Sequence, residues 1–302
     1  MNLLLSGEPF LARHASDDGL SPSRLRSALA DGRVRRLLDR VYVDALAPDT
    51  RELRIRAVKL VAPAHAVVCD ETATWVLGVD TYKPSDRHKL VPSLVVPHGT
   101  SRLRVDDAAC RQAIVRESDI MEIDGLRITT ALRTTSDLLR KQWRPFAMAS
   151  ADAMAHAGLV VQADVWDFVC ELRGFRGAPQ ARNLASMIEY LAQSRGESWT
   201  RLRLMDAGFP RPEAQCPWID AAGDQRYLDL AYKARMVAME FDGQMYHSAD
   251  NDRESDSKRR MLLGATGLRS VVARYEDIFG TDNAFEREVG NLIGTEPLER
   301  FW

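Results

Sequence analysis

Apolar residues recur along this chain with two periods, and the predicted element changes where the period changes. Residues 9 to 43 read as a helix, a turn, a second helix and a short hairpin. In SPSRLRSALADG, Ser21 stands as N-cap with Pro22 at the first helical position, and Gly32 closes the helix. The following GRVRRLLDRVYV sets apolar Val34, Leu37 and Val41 among basic or polar residues and ends in β-formers, as two short strands do. From about residue 50 to 190 the pattern predicts a helix near Arg51–Val61, strands at SLVVP, RQAIVRE and LRITT, and several helices after Thr130. These include FAMASADAMAHAG, VWDFVCELRG and a further helix in RGAPQARNLASMIEYLAQSRG. From Gly196 the order becomes helix (ESWTRLRLMDAG), strands (CPWID, QRYLDLAY, RMVAMEFDG), helix (ESDSKRRMLLGATG), strand (LRSVVARY) and helix (DNAFEREVGNLIG).

A length of 302 residues exceeds one small core, so the chain reads as a multidomain α+β or α/β protein. The elements divide it into residues 1–48, a mixed α/β connector at 49–190, and a C-terminal α/β region at 191–302 with a central mixed sheet. Net charge is only −2 with 28% charged residues, so contact with nucleic acid has to come from local patches. Such a patch exists. Between Ser21 and Val43 there are six arginines, Arg24, Arg26, Arg33, Arg35, Arg36 and Arg40, against Asp31 and Asp39. A helix followed at once by a basic hairpin reads as a winged helix: Ser23, Arg24 and Ser27 near base edges, Arg33, Arg35 and Arg36 on phosphates. The competing reading is a solvated arginine-rich face.

Cys69, Cys110, Cys170 and Cys216 lie far apart without a Cys-x-x-Cys pair, which fits a reducing cytoplasm and disfavours a zinc ribbon or a disulfide framework. The opening MNLLLSGEPF lacks a basic leader, and no apolar run reaches membrane-spanning length, so a cytoplasmic location without membrane partners is expected. HGTSRLRVDD, from His98, lacks the glycine spacing of a phosphate loop and reads as a basic turn. Trp75, Trp143, Trp166, Trp199 and Trp218 fall in apolar-patterned elements and are assigned to the core.

The segment richest in chemistry is RYLDLAYKARMVAMEFDGQMYH. If a two-residue turn at Ala234–Arg235 joins its two strands, Lys233 faces Met236, Asp229 faces Glu240, and Asp242 shares their face. Opposed carboxylates need a cation, a proton or a basic side chain between them. Magnesium (or manganese) suits hard oxygen ligands and a phosphate substrate, with Asp229, Glu240 and Asp242 as metal ligands. A slip of one residue instead sends Asp229 to the other face, where it would be solvated or paired with Arg226 or Arg235. Glu197 is either a further acid of this cluster or the helix partner of Arg201. His247 is either a proton donor or a surface loop residue. Lys258, Arg259 and Arg260 either clamp phosphate or form the solvated face of a helix.

ESWTRLRLMDAGFPRPEAQ, YLDLAY and AMEFDGQMYH resemble the very-short-patch-repair branch of the PD-(D/E)XK nuclease superfamily. The resemblance implies a restriction-endonuclease-like domain hydrolysing DNA phosphodiester bonds, with Glu197, Asp229 and Glu240 as its acids. Glu240–Phe241–Asp242 stands where Glu-x-Lys is usual, so the lysine that would orient water is missing. The N-terminal segment, with the later LRITTALRTTSDLLR, resembles the AbiE-type antitoxin family. That resemblance implies an autoregulating DNA-binding protein partnered by a nucleotidyltransferase-like toxin, in which the nuclease-like fold is a scaffold without turnover.

Overall fold

A computed structural model describes residues 7–16, 20–86, 90–98, 108–242 and 259–302. It is a mixed α/β protein, and its contacts separate two compact units. The first takes in Met1–Lys141 with Leu159–Ala181, the second Gln142–Gly158 with Arg182–Trp302.

The first unit begins with a three-stranded sheet in the order Phe10–Leu11, Val41–Asp44, Val34–Leu38, all antiparallel. The helix expected before the first turn is therefore replaced, among the described residues, by a strand. Phe10 and Leu11 are both buried, and Phe10 pairs with Tyr42 at a ring separation of 6.2 Å. The helix Pro22–Ala30 forms as expected, with Ser21 Oγ accepting from Arg24 N and Gly32 closing it at φ +67°. Leu25 and Ala28 face the core. The three-residue spacing from Val34 to Leu37 does not suit a regular strand. A register shift between Arg36 and Leu38 accommodates it as a bulge, so Val34, Leu37 and Leu38 are all buried.

A five-stranded mixed sheet follows, in the order Ala109–Ala113, Ser93–Pro97, Val67–Val68, Leu126–Thr129, Ile120–Ile123. Its last two strands are joined by Asp124 and Gly125, both at positive φ, which is the backbone that a tight hairpin turn requires. Helices Arg51–Lys59, Asp70–Val76, Ala131–Lys141 and Gln162–Glu171 complete this unit.

The second unit combines helix Arg144–His156 with helix Arg195–Asp206 and a four-stranded mixed sheet. The strand order is Arg269–Ala273, Val237–Phe241, Gln225–Tyr232, Glu213–Ile219, and only the first two are parallel. The helix expected through RGAPQARNLASMIEYLAQSRG stops at Ala185. Beyond it, backbone carbonyls go to side chains: Met187 O to Arg201 (2.6 Å), Ile188 O to Arg211 (2.9 Å) and Tyr190 O to His156 (2.9 Å). Trp75 and Trp199 are buried and Trp218 partly so. Trp143 is 48% and Trp166 39% exposed, contrary to their assignment to the core. Trp143 instead rims an aromatic group with Phe146, Phe279 and Trp302.

The helix pair is fixed by an ion pair that water barely reaches: Arg201 Nη2 lies 2.6 Å from Asp152 Oδ2, with side chains 0% and 1% exposed. Removing one partner leaves an uncompensated buried charge, whose cost is about 3–5 kcal/mol. Arg201→Met is expected to lower unfolding free energy by that amount in urea titration, and a loss below ~1 kcal/mol would refute the pair's structural role.

Candidate functional site

The ladder between Gln225–Tyr232 and Val237–Phe241 pairs Leu230 with Met239, Ala231 with Ala238 and Tyr232 with Val237. One step further along this register, Asp229 stands opposite Glu240. The connection is not the two-residue turn at Ala234–Arg235. Tyr232 and Val237 close the ladder, Lys233–Arg235 is a 3-10 turn, and Met236 takes a left-handed conformation at φ +56°. The longer loop adds a residue on each side, so the register is the same.

On its other side, Asp229 faces Gln215. The pairs Leu228–Cys216 and Leu230–Ala214 bracket that position, where Gln215 is itself left-handed at φ +48°. A non-glycine residue there costs of order 1–3 kcal/mol and persists only where its surroundings enforce it. The distorted backbone carries the Gln215 amide to Glu197, with Nε2 donating to Oε2 at 3.1 Å. Gln193 N donates to the same oxygen at 3.0 Å, and Ser194 caps the helix by accepting from Glu197 N. Glu197 is thus buried with three defined hydrogen bonds. Its expected alternative partner Arg201 is committed to Asp152. Gly196 permits this placement, because a Cβ there would run into the ring of Phe241.

Asp229, Glu240, Asp242, Arg259 and Arg260 line one cleft with Phe241 and Val272. Arg259 Nη2 lies 3.3 Å from Glu240 Oε1 and also donates to Tyr227 O. Burial first, then the charges of Glu197 and Glu240, push the Asp229 carboxyl from its ordinary 3.8 to about 6, with Arg259 opposing. Asp229 therefore lies within the fields of both Glu197 and Glu240. Among the described residues, however, no three or more His, Cys, Asp or Glu side chains form a ready-made metal site. His247 and Lys258 lie outside the described residues.

In the first unit, Ser23, Arg24 and Ser27 are exposed on the outer face of Pro22–Ala30. Ser27 Oγ and Arg33 Nη2 both contact Asp31 Oδ2, at 3.3 and 2.9 Å. Arg36 is exposed and lies over the Tyr42 ring at 5.6 Å. Arg35 is half-buried and donates to Ala47 O at 2.9 Å, which ties the strand to the segment after the hairpin. The hairpin tip is also held, since Asp39 N donates to Leu90 O at 2.8 Å. His98 is exposed in a turn, and residues 99–107 of its motif are outside the described set.

The connector sequence shows no catalytic cluster, yet folding assembles a charge network there. Asp137 is 4% exposed at its side chain and touches Arg133 (3.1 Å), Arg140 (2.7 Å) and Lys141 (3.0 Å). Arg133 also pairs with Asp119, and Lys141 and Arg111 with Asp70.

Residues 66–187 match the family described as the AbiEi antitoxin C-terminal domain. The chain is also similar to two proteins of Mycobacterium tuberculosis, from strains CDC 1551 and H37Rv, both described as uncharacterized. Each is 26% identical over 257 residues, 84% of this chain and 89% of the relative. No helix among the described residues is long and apolar enough to cross a membrane.

A carboxyl raised in the folded state favours folding below its unfolded pKa, and that contribution is lost as pH rises toward the folded value. For Asp229 the window runs from 3.8 to about 6. Asp229→Asn removes the charge repulsion, so its stability gain over wild type should be larger at about pH 8 than at about pH 5 by thermal unfolding. An equal gain at both would contradict the coupling.

Proposed function

We propose that this chain is a DNA-binding regulator of the antitoxin class, whose N-terminal segment acts as a winged helix on its own promoter. A nucleotidyltransferase-like toxin is its expected partner. The observation that carries the reading is the antitoxin match at residues 66–187, most of which lies in the same compact unit as the basic helix and hairpin. The exposed face of Ser23, Arg24 and Ser27 has the size and polarity for base edges in a major groove, which admits one helix. Exposed Arg33 and Arg36 suit phosphates, whereas Arg35 acts as a brace through Ala47. Binding of the promoter should weaken with salt, and Arg33→Ala and Arg36→Ala should each reduce the log–log slope by about 0.9. Unchanged slopes, or no promoter binding, would remove this reading.

A second reading rests on the cleft of the second unit: metal-dependent hydrolysis of DNA phosphodiester bonds, in a restriction-endonuclease-like domain. Magnesium commonly binds through one or two carboxylates plus waters and substrate phosphates, so the Asp229–Glu240 pair fits it without a third acid. Asp229 and Glu240 would hold Mg2+ or Mn2+, with Asp242 at the rim. The cation, when bound, supplies Lewis acidity and lowers the pKa of coordinated water. Glu197, fixed by Gln193 and Gln215, would hold negative charge beside Asp229, and Arg259 and Arg260 would attract the phosphate. Calorimetric titration of magnesium and manganese, with a plasmid-nicking assay, tests it on wild type and on the Asp229→Ala, Glu240→Ala double variant. Metal binding and nicking that vanish together in the double variant support it. The absence of both in the wild-type protein leaves the regulator reading alone.

A further inference from the structure

Outside the carboxylate cleft, the described residues carry a second pocket with a different character: its lining is Arg140, Lys141 and Arg176. All three belong to the first unit, within the region 66–187. We propose that these side chains form an oxyanion site for a phosphate group.

Two of the cations, Arg140 and Lys141, are held before any ligand arrives. Arg140 donates through Nη1 to Arg176 O at 3.0 Å and through Nη2 to Asp137 Oδ1 at 2.7 Å, and its guanidinium lies 5.5 Å from the Phe175 ring centroid. Lys141 Nζ is 2.8 Å from Asp70 Oδ1 and 3.0 Å from Asp137 Oδ2. The loop carrying Arg176 is fixed to the helix as well. Gly177, at φ +80°, lets the backbone pass so close to the Arg140 carbonyl that a Cβ would collide with it. Side chains already ordered lose little further entropy on binding, so such a site gains affinity from preorganisation.

Charge balance points to an anion. Among the described residues, the ion pairs of this network join Arg111, Arg133, Arg140 and Lys141 to Asp70, Asp119 and Asp137, and Arg176 adds a further cation beside the pocket. The buried Nε of Arg140 has no hydrogen-bond partner among the described residues. A guanidinium N–H binds an anionic oxygen more strongly than a neutral acceptor. Asp70 adds a sign that the arrangement is enforced. It sits at φ +53°, a conformation non-glycine residues rarely adopt, while both Arg111 and Lys141 grip its carboxylate. Phosphate fits because its oxygens can accept from a planar guanidinium and an ammonium together. The same group can belong to a free nucleotide or to a nucleic-acid backbone.

The test uses the full chain and its Arg176→Ala and Arg176→Lys variants. Arg176 is exposed, and circular dichroism checks that both variants fold. Inorganic phosphate and adenosine monophosphate are titrated against thermal unfolding, with chloride at matched ionic strength. Phosphate is expected to raise the transition temperature beyond the chloride control, with binding about tenfold weaker in Arg176→Ala and partly restored in Arg176→Lys. Tighter binding of the monophosphate than of phosphate assigns a free nucleotide. A fall of about one in the salt slope of DNA binding in Arg176→Ala, with no monophosphate preference, assigns a backbone phosphate. Phosphate stabilisation that ignores Arg176, or no effect beyond chloride together with an unchanged DNA slope, overturns the proposal.

Discussion

A carboxylate taken out of water must find positive charge or a proton, and the chain meets that demand in opposite ways at different places. Burial alone would raise Asp137, but Lys141, Arg133 and Arg140 outweigh it and hold the carboxyl well below the usual range. Asp152, fully buried, is paired with Arg201, yet burial outweighs the pairing and raises its carboxyl. Asp229 is raised for a further reason. Its nearest strong influences after burial are Glu197 and Glu240, and only Arg259 opposes them. The matched carboxylates organise helices. Asp229, in the carboxylate cleft, instead meets the demand by holding its proton to higher pH.

The same principle makes the two charged regions complementary in chemistry. The cleft of the second unit is short of positive charge, whereas the pocket of the first unit has cations in excess of carboxylates. On the proposed regulator reading, such cationic surface would serve a nucleic-acid or nucleotide ligand, and the exposed helix face Ser23, Arg24, Ser27 would add to it. The carboxylate cleft is not explained by promoter binding, which is why a hydrolytic reading stays beside the regulatory one.

Much of this was legible in the sequence because it rests on short-range rules. Ser21, Pro22 and Gly32 delimit their helix as cap chemistry demands, whereas the pattern of YLDLAY and VAMEF leaves two registers open, and the ladder selects the one that opposes Asp229 to Glu240. Other features depend on partners distant in sequence. Glu197 is held by Gln215, 18 residues away, through a backbone distortion that no local pattern announces. Arg201 finds Asp152 across 49 residues rather than the helical neighbour that spacing favours. Phe10 and Leu11 enter a strand because Val41 and Tyr42 lie alongside, against a local pattern that reads as helix. One local signal was readable and informative: Asp124–Gly125 joins the strands on either side of it by the turn that this dipeptide favours. The exposure of Trp143 and Trp166 shows the limit of apolar patterning, which does not distinguish the centre of a core from its rim.

The most direct test of the central claim is repression in cells, using a reporter driven by the chain's own promoter. Wild type and the Asp229→Ala, Glu240→Ala double variant should repress equally, and Arg24→Ala with Arg36→Ala should relieve repression while the protein stays folded. Repression that is absent in wild type, or that depends on the carboxylates and not on the arginines, would contradict the account.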